Sequence, residues 1–170
     1  MWRGYDAIDG LDQNVSLATV LGLGLAEGGM AGEAELRISD PENGIEMTLD
    51  DAALSTLDQQ SFETSTIWTD RVQQFAGPSL LAILNHAGIT EGTVRLEAAN
   101  DYAITIPVAE LSETAPIVAN RIDGEAFSLR QKGPLWVAYP YDSKDAFQSE
   151  EVYARSIWQL VAVERVAPAP

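Results

Sequence analysis

Turn signals interrupt this chain so regularly that it has room only for short strands and short helices, and that spacing constrains the fold more than any other feature. Asp40-Pro41-Glu42-Asn43-Gly44, Gly88, Asn100-Asp101, Asp123-Gly124 and Gly133-Pro134 each end a short segment. Gly, Pro, Asn and Asp do this because they favour backbone angles that neither a strand nor a helix continues. Between them, residues 33–38 and 61–68 read as strands, the second rich in β-branched and aromatic residues. Thr48-Leu49-Asp50-Asp51 resembles a capping box opening a short helix to about Leu57. Pro78 suits the first position of a helix, with Leu80, Leu81 and Leu84 on one face and Gly88 as its stop. Val94, Leu96 and Ala98 alternate with polar neighbours, as in a half-buried strand. Residues 102–106 continue extended and 108–111 make a single helical turn. Asp123-Gly124 predicts a hairpin joining residues 117–122 to 125–128. Residues 135–139 and 157–166 complete the strands. The sum is an α+β domain of mixed β-sheets with short helices.

A chain of 170 residues, 46% hydrophobic and 21% charged, can bury one substantial core. Its 26 acidic residues outnumber 10 basic ones, for a net charge of −16. Such a surface disfavours nucleic acid and anionic membrane, whose phosphates need Lys and Arg to neutralise them. Cysteine is absent, which excludes disulfides, thiolate nucleophiles and thiolate metal ligands.

The first residues read differently. Val15-Ser-Leu-Ala-Thr-Val-Leu-Gly-Leu-Gly-Leu-Ala26 is too short to span a bilayer and too rich in glycine for a good core helix. Gly29-Met30-Ala31 then offers the small residues that signal peptidase requires. The pattern resembles a secretory signal, although Asp6, Asp9 and Asp12 stand where a basic segment is expected. The expectation is an export signal or a disordered leader over residues 1–31, a folded domain over 32–166 and a loose tail over 167–170.

Familiar catalytic patterns are missing. No GxGxxG or GxxxxGK[ST] is present. His86 is the single histidine and sits near a helix C-terminus, where a cation is favourable without any catalytic role. One histidine and no cysteine argue against zinc. Asp50-Asp51 and Glu150-Glu151 read as solvated or first-turn carboxylates. What remains is a set of aromatic and polar clusters at strand ends, where loops converge into pockets. These are Trp68-Thr69-Asp70-Arg71, Asn100-Asp101-Tyr102, Arg130 and Lys132 before Gly133-Pro134 and Trp136, and Tyr153, Arg155 and Trp158. Trp68, Trp136 and Trp158 offer stacking faces or walls, Trp136 doubling as a core residue. Asn100 and Asp101 suit an amino-pyrimidinone edge, and Arg71, Arg130, Lys132 and Arg155 suit carbonyl or anionic oxygens.

Four blocks in order, Phe75-Ala-Gly-Pro-Ser-Leu-Leu-Ala-Ile-Leu, Asn100-Asp-Tyr-Ala-Ile-Thr-Ile-Pro, Lys132-Gly-Pro-Leu-Trp-Val-Ala-Tyr-Pro and Arg155-Ser-Ile-Trp-Gln-Leu, resemble the molybdopterin-binding domain of the sulfite oxidase family. The likeness runs from about Ile67 to Val166 and is strongest to small exported members, among them periplasmic pterin-binding sensors (PruR-like). It implies a sulfite oxidase molybdopterin-binding-like fold. It also implies a pterin ligand and, as partner, the periplasmic domain of a membrane-bound diguanylate cyclase or phosphodiesterase. Catalytic members of the family hold molybdenum through a cysteine that would fall within residues 64–68, where this chain has Thr-Ser-Thr-Ile-Trp. An alcohol is much harder to ionise than a thiol, so no metal is expected and molybdopterin is expected less than a free pterin. The alternative is a molybdopterin-dependent oxidoreductase using Ser65 or Thr66 as an oxygen ligand, or no protein ligand at all. Trp158 stands where some relatives place Lys, exchanging a phosphate contact for a stacking face. The expected function is sensing of a pterin in the periplasm, without catalysis.

Overall fold

The computed structural model describes residues 33–167, and the expected export signal over 1–31 lies outside the described residues. β1 (Glu35–Asp40) and β2 (Ile45–Asp50) form a hairpin. Its turn is fixed by the buried Asp40, whose carboxylate accepts the backbone N–H groups of Glu42 and Asn43 and the Asn43 side-chain amide at 2.6 Å. These bonds, led by the Asn43 side chain and helped by Arg165, hold the Asp40 carboxyl below its usual range.

Helix α1 (Asp51–Thr56) follows directly. Asp50 caps it, accepting the Ala53 N–H at 2.7 Å. The expected capping box is therefore displaced: Thr48 belongs to β2, because the carboxylate two residues later is the one that reaches the free N–H. β3 (Gln59–Thr64) also ends sooner than its composition predicts. Residues 65–68 leave the sheet, since the Asp142 carboxylate takes the Ser65 N–H and the Thr66 hydroxyl takes the Trp68 N–H. β4 (Gln73–Pro78) runs through Pro78, which corrects the expectation that Pro78 opens a helix. Ser79 caps α2 (Leu80–His86) instead, its hydroxyl accepting the Ala82 N–H at 3.0 Å.

β5 (Thr93–Ala98) buries Val94, Leu96 and Ala98 as the alternation predicts, and pairs with β6 (Ala103–Pro107). Short strands β7 (Ile117–Ala119) and β8 (Arg121–Ile122) come next. They are followed by β9 (Trp136–Ala138), α3 (Glu150–Arg155) and β10 (Leu160–Val166). The Asp123-Gly124 turn is present, with φ of 53° and 83°, but its hairpin shrinks to one bridge between Ile122 and Glu125. The fully buried Ile117, Val118 and Ala119 pair with the equally buried β9. Apolar burial decides that partnership over the nearer, exposed residues 125–126.

The described strands make three sheets. The largest has the order β2-β1-β10-β5-β6, with β10 parallel to β1 and antiparallel to β5. β3-β4-β8 and β7-β9 form the others. A main core joins Leu36, Ile38, Leu96 and Val163 of the large sheet to Leu80, Ile83 and Leu84 of α2. A second, smaller core holds Phe75, Ile117, Ala119, Phe127, Trp136 and Ala138. Trp68 packs against both.

At Gly77 of β4 a Cβ atom would lie 2.1 Å from the Val118 carbonyl oxygen and 2.9 Å from the Ala119 Cα. Both are backbone atoms, so the strands would have to separate. Gly77→Ala is expected to lower stability by about 1–3 kcal/mol or more, read as a lower urea midpoint with unchanged slope.

Candidate functional site

Residues 65–72 connect β3 to β4 without regular structure, and side-chain bonds shape this loop. The Asp142 carboxylate accepts the Ser65 N–H at 2.6 Å and the Ser65 hydroxyl at 2.7 Å. The buried Thr64 hydroxyl accepts the Asp142 N–H at 3.1 Å. Thr66 Oγ1 accepts the Trp68 N–H at 3.0 Å and lies 3.0 Å from Thr69 Oγ1. Held this way, Trp68 turns inward and meets four rings edge to face. The centroid distances are 5.5 Å to Trp158, 5.7 Å to Tyr153, 6.0 Å to Trp136 and 6.3 Å to Tyr141.

One side of Trp68 forms a wall of a cleft of about 210 Å³, together with Asn100, Tyr102, Tyr153 and Trp158. Asn100 and Tyr102 come from the turn between β5 and β6, Tyr153 from α3, and Trp158 from the approach to β10. The turn is shaped by Asn100 Oδ1, which accepts the Tyr102 N–H at 3.2 Å, and by Asp101 at φ 66°. Tyr102 Oη donates to the Ala154 carbonyl at 3.1 Å, tying the turn to α3. Trp158 is placed by a backbone bridge to Trp136.

Trp68 also lines a second, wider cleft of about 560 Å³ with Asp70, Arg71, Asp123, Lys132 and Trp136. Arg71 donates to Asp123 at 2.6 Å. Lys132 Nζ stands 5.6 Å from the centroid of the Trp158 ring, within cation–π range. Trp136 is 1% exposed, and its Nε1 has no hydrogen-bond partner among the described residues. Trp68 is the one residue common to both clefts. The four described non-glycine residues at positive φ, Asp101, Asp123, Lys132 and Gln159, all line these clefts or adjoin a residue that does. Uncommon backbone angles gather where a structure holds a site in shape.

Three residues nominated by the sequence line neither cleft. Asp101 and Arg130 are exposed on turns. Arg155 is engaged elsewhere, donating to Glu110 at 2.6 Å and to Glu151 at 2.5 Å. It lies beside Tyr139, whose phenol burial pushes up to about 12 against the opposing pull of Arg155. Burial raises the Tyr141 phenol as well, and its hydroxyl donates to Ser156 at 2.7 Å. Both phenols are therefore neutral at ordinary pH.

Sequence reasoning missed Tyr141, Asp142 and helix α3 itself. A signal for the helix was present: Ser149 precedes Glu150-Glu151 and accepts the Val152 N–H at 3.3 Å. None existed for Asp142, whose contact with Ser65 spans 77 residues.

The Ser65 N–H, and then its hydroxyl, hold the Asp142 carboxyl below its ordinary value of 3.8. A depressed folded value means the clamp contributes fully above the unfolded value and is lost as pH falls through the folded one. Tryptophan emission is expected to change as the loop loosens below about pH 4. In Asp142→Asn that part of the acid response should be missing, and an unchanged acid curve would dissociate the clamp from the loop.

No protein-family model matches this chain, and no curated protein matches it either.

Proposed function

We propose that this chain is a pterin-binding module with a sulfite oxidase molybdopterin-binding-like fold, acting as a sensor and not as a redox enzyme. One observation carries the reading: Trp68, Asn100, Tyr102, Tyr153 and Trp158, drawn from distant segments, line a single aromatic cleft. Flat indole and phenol rings suit a planar heterocycle, and an amide at the rim suits the donor and acceptor edge of a pyrimidinone. A volume of about 210 Å³ falls below the range typical for drug-sized ligands. It suits a bicyclic ring better than a dinucleotide.

The donor set does not fit molybdopterin. An oxygen ligand to its metal would have to come from Ser65 or Thr66, yet the Ser65 hydroxyl is committed to Asp142 and Thr66 Oγ1 accepts the Trp68 N–H. Of the four cations nominated for its terminal phosphate two are taken, Arg71 by Asp123 and Arg155 by Glu110 and Glu151, which leaves Lys132 beside the Trp158 ring and the exposed Arg130. A neutral ring asks for neither. By the resemblance of the four sequence blocks, the module works in the periplasm and reports to a membrane-bound enzyme that makes or breaks cyclic di-GMP.

The test is to purify the chain, measure molybdenum by mass spectrometry and titrate a pterin by fluorescence. Metal-free one-to-one binding is expected, and stoichiometric molybdenum would overturn the reading. Trp158→Ala should weaken binding about tenfold or more, the scale of one lost ring-stacking contact. Arg155→Met should instead lower the thermal midpoint while affinity stays within about twofold, because that side chain braces α3 through exposed ion pairs.

A further inference from the structure

An unpaired donor lies behind the aromatic wall. Trp136 is 1% exposed, and its indole Nε1 finds no acceptor among the described residues. A buried N–H in that state has given up its water and gained nothing in exchange. A purely apolar side chain would carry no such penalty. The position of the donor supplies a use for it. Trp136 packs 6.0 Å from Trp68 and 6.3 Å from Trp158, both walls of the first cleft, and itself lines the second.

Three rings cover Trp136, and they differ in how firmly they are held. Phe75 lies fully buried in β4, the middle strand of its sheet, 5.3 Å away. Trp158 is joined to Trp136 itself by a backbone bridge. Trp68 sits in the irregular loop of residues 65–72, between Ile67 and Val72 that are 63% and 53% exposed. Little packs against the outer side of that loop. Trp68 is thus the ring that can give way, and it is also the residue shared by both clefts.

We propose that Trp136 Nε1 is a ligand donor kept behind Trp68. A planar heterocycle entering the first cleft turns Trp68 aside, joins the two clefts and accepts the Trp136 N–H on a ring carbonyl oxygen. This rests on the pterin reading above and sharpens it. The site selects oxo-substituted rings over their amino counterparts, because an amino group brings a second donor to a donor. Trp136 then has two duties, filling the smaller core and reading the ligand.

Calorimetric titration of the full chain with a pterin and with a diaminopteridine, in which an amino group replaces the ring carbonyl, tests this. The wild type is expected to favour the pterin by about tenfold, the scale of one hydrogen bond to a buried donor. Trp136→Phe should lose that preference. Should that variant fail to fold, benzothienylalanine in place of Trp136 keeps the ring shape and removes only the N–H. That protein should also lose the preference, with a ligand-free thermal midpoint at or above that of the wild type, since the idle donor is gone. A preference surviving in the benzothienyl protein would overturn the role of Trp136 and leave pterin binding standing. A wild type that binds no pterin would overturn both this inference and the function it rests on.

Discussion

The contact between Trp68 and Trp136 lies where the main core and a smaller one adjoin. The main core is built on the five-stranded sheet and α2, while the smaller one has six buried residues around β4, β7 and β9. A core of that size stabilises little by itself, and a chain without cysteine has no disulfide to brace it. It is tied to the main core by Val118 and Val137, which β7 and β9 place there, and by the ring system that runs from Trp136 to Trp68, Tyr141 and Tyr153. Each edge-to-face pair contributes about 0.5–1.5 kcal/mol beyond its buried area. Joining the cores and building the cleft are therefore one act of packing. The rings that hold the small sheets in place are the rings a ligand would meet.

How legible this was depends on how far each determinant lies along the chain. Val94, Leu96 and Ala98 announce β5 because a period of two needs no partner to be visible. Asp123-Gly124 announces a turn because positive φ is a local demand. The pairing of β7 with β9 is not local, and it went to the buried strand instead of the adjacent segment. Residues 65–68 have strand-like composition, but the Ser65 and Thr66 hydroxyls and the distant Asp142 turn them into a loop. Trp68, Tyr102, Tyr153 and Trp158 could be nominated because aromatics near strand ends gather wherever strands converge. Arg155 misled because one partner, Glu110, is 45 residues away and the other, Glu151, becomes a neighbour only once α3 forms, so a cation that looked available is already neutralised.

Charge narrows what the clefts can hold. Acidic residues outnumber basic ones by more than two to one, and the cations nearest the aromatic wall are mostly committed. Arg71 answers Asp123, Arg155 answers two glutamates, and Lys132 stands over the Trp158 ring. An anionic ligand would meet a repulsive field with few free counter-charges and would have to break existing pairs to bind. A neutral aromatic ring pays no such cost, and it gains what the walls offer in abundance, which is face and edge contact. Electrostatics and ring content thus favour the same ligand chemistry from independent directions.

The loop carrying Trp68 is tied to other segments at both ends, and between them it is held by bonds within itself and by the ring contacts of Trp68. Asp142 clamps Ser65, and Asp123 both pairs with Arg71 and accepts the Gln74 N–H at 3.0 Å. Displacing Trp68 therefore need not disturb β3 or β4. Its four edge contacts are together worth about 2–6 kcal/mol on the usual scale for aromatic pairs. An incoming ring that stacks on the same walls returns about 1–3 kcal/mol per stacked face, and meeting the Trp136 N–H returns the desolvation of that donor. The exchange is near balance, so small differences in the ligand decide its sign. A wall that moves for one ring and stays closed to its near neighbour is what the proposed sensing role requires of the loop that carries Trp68.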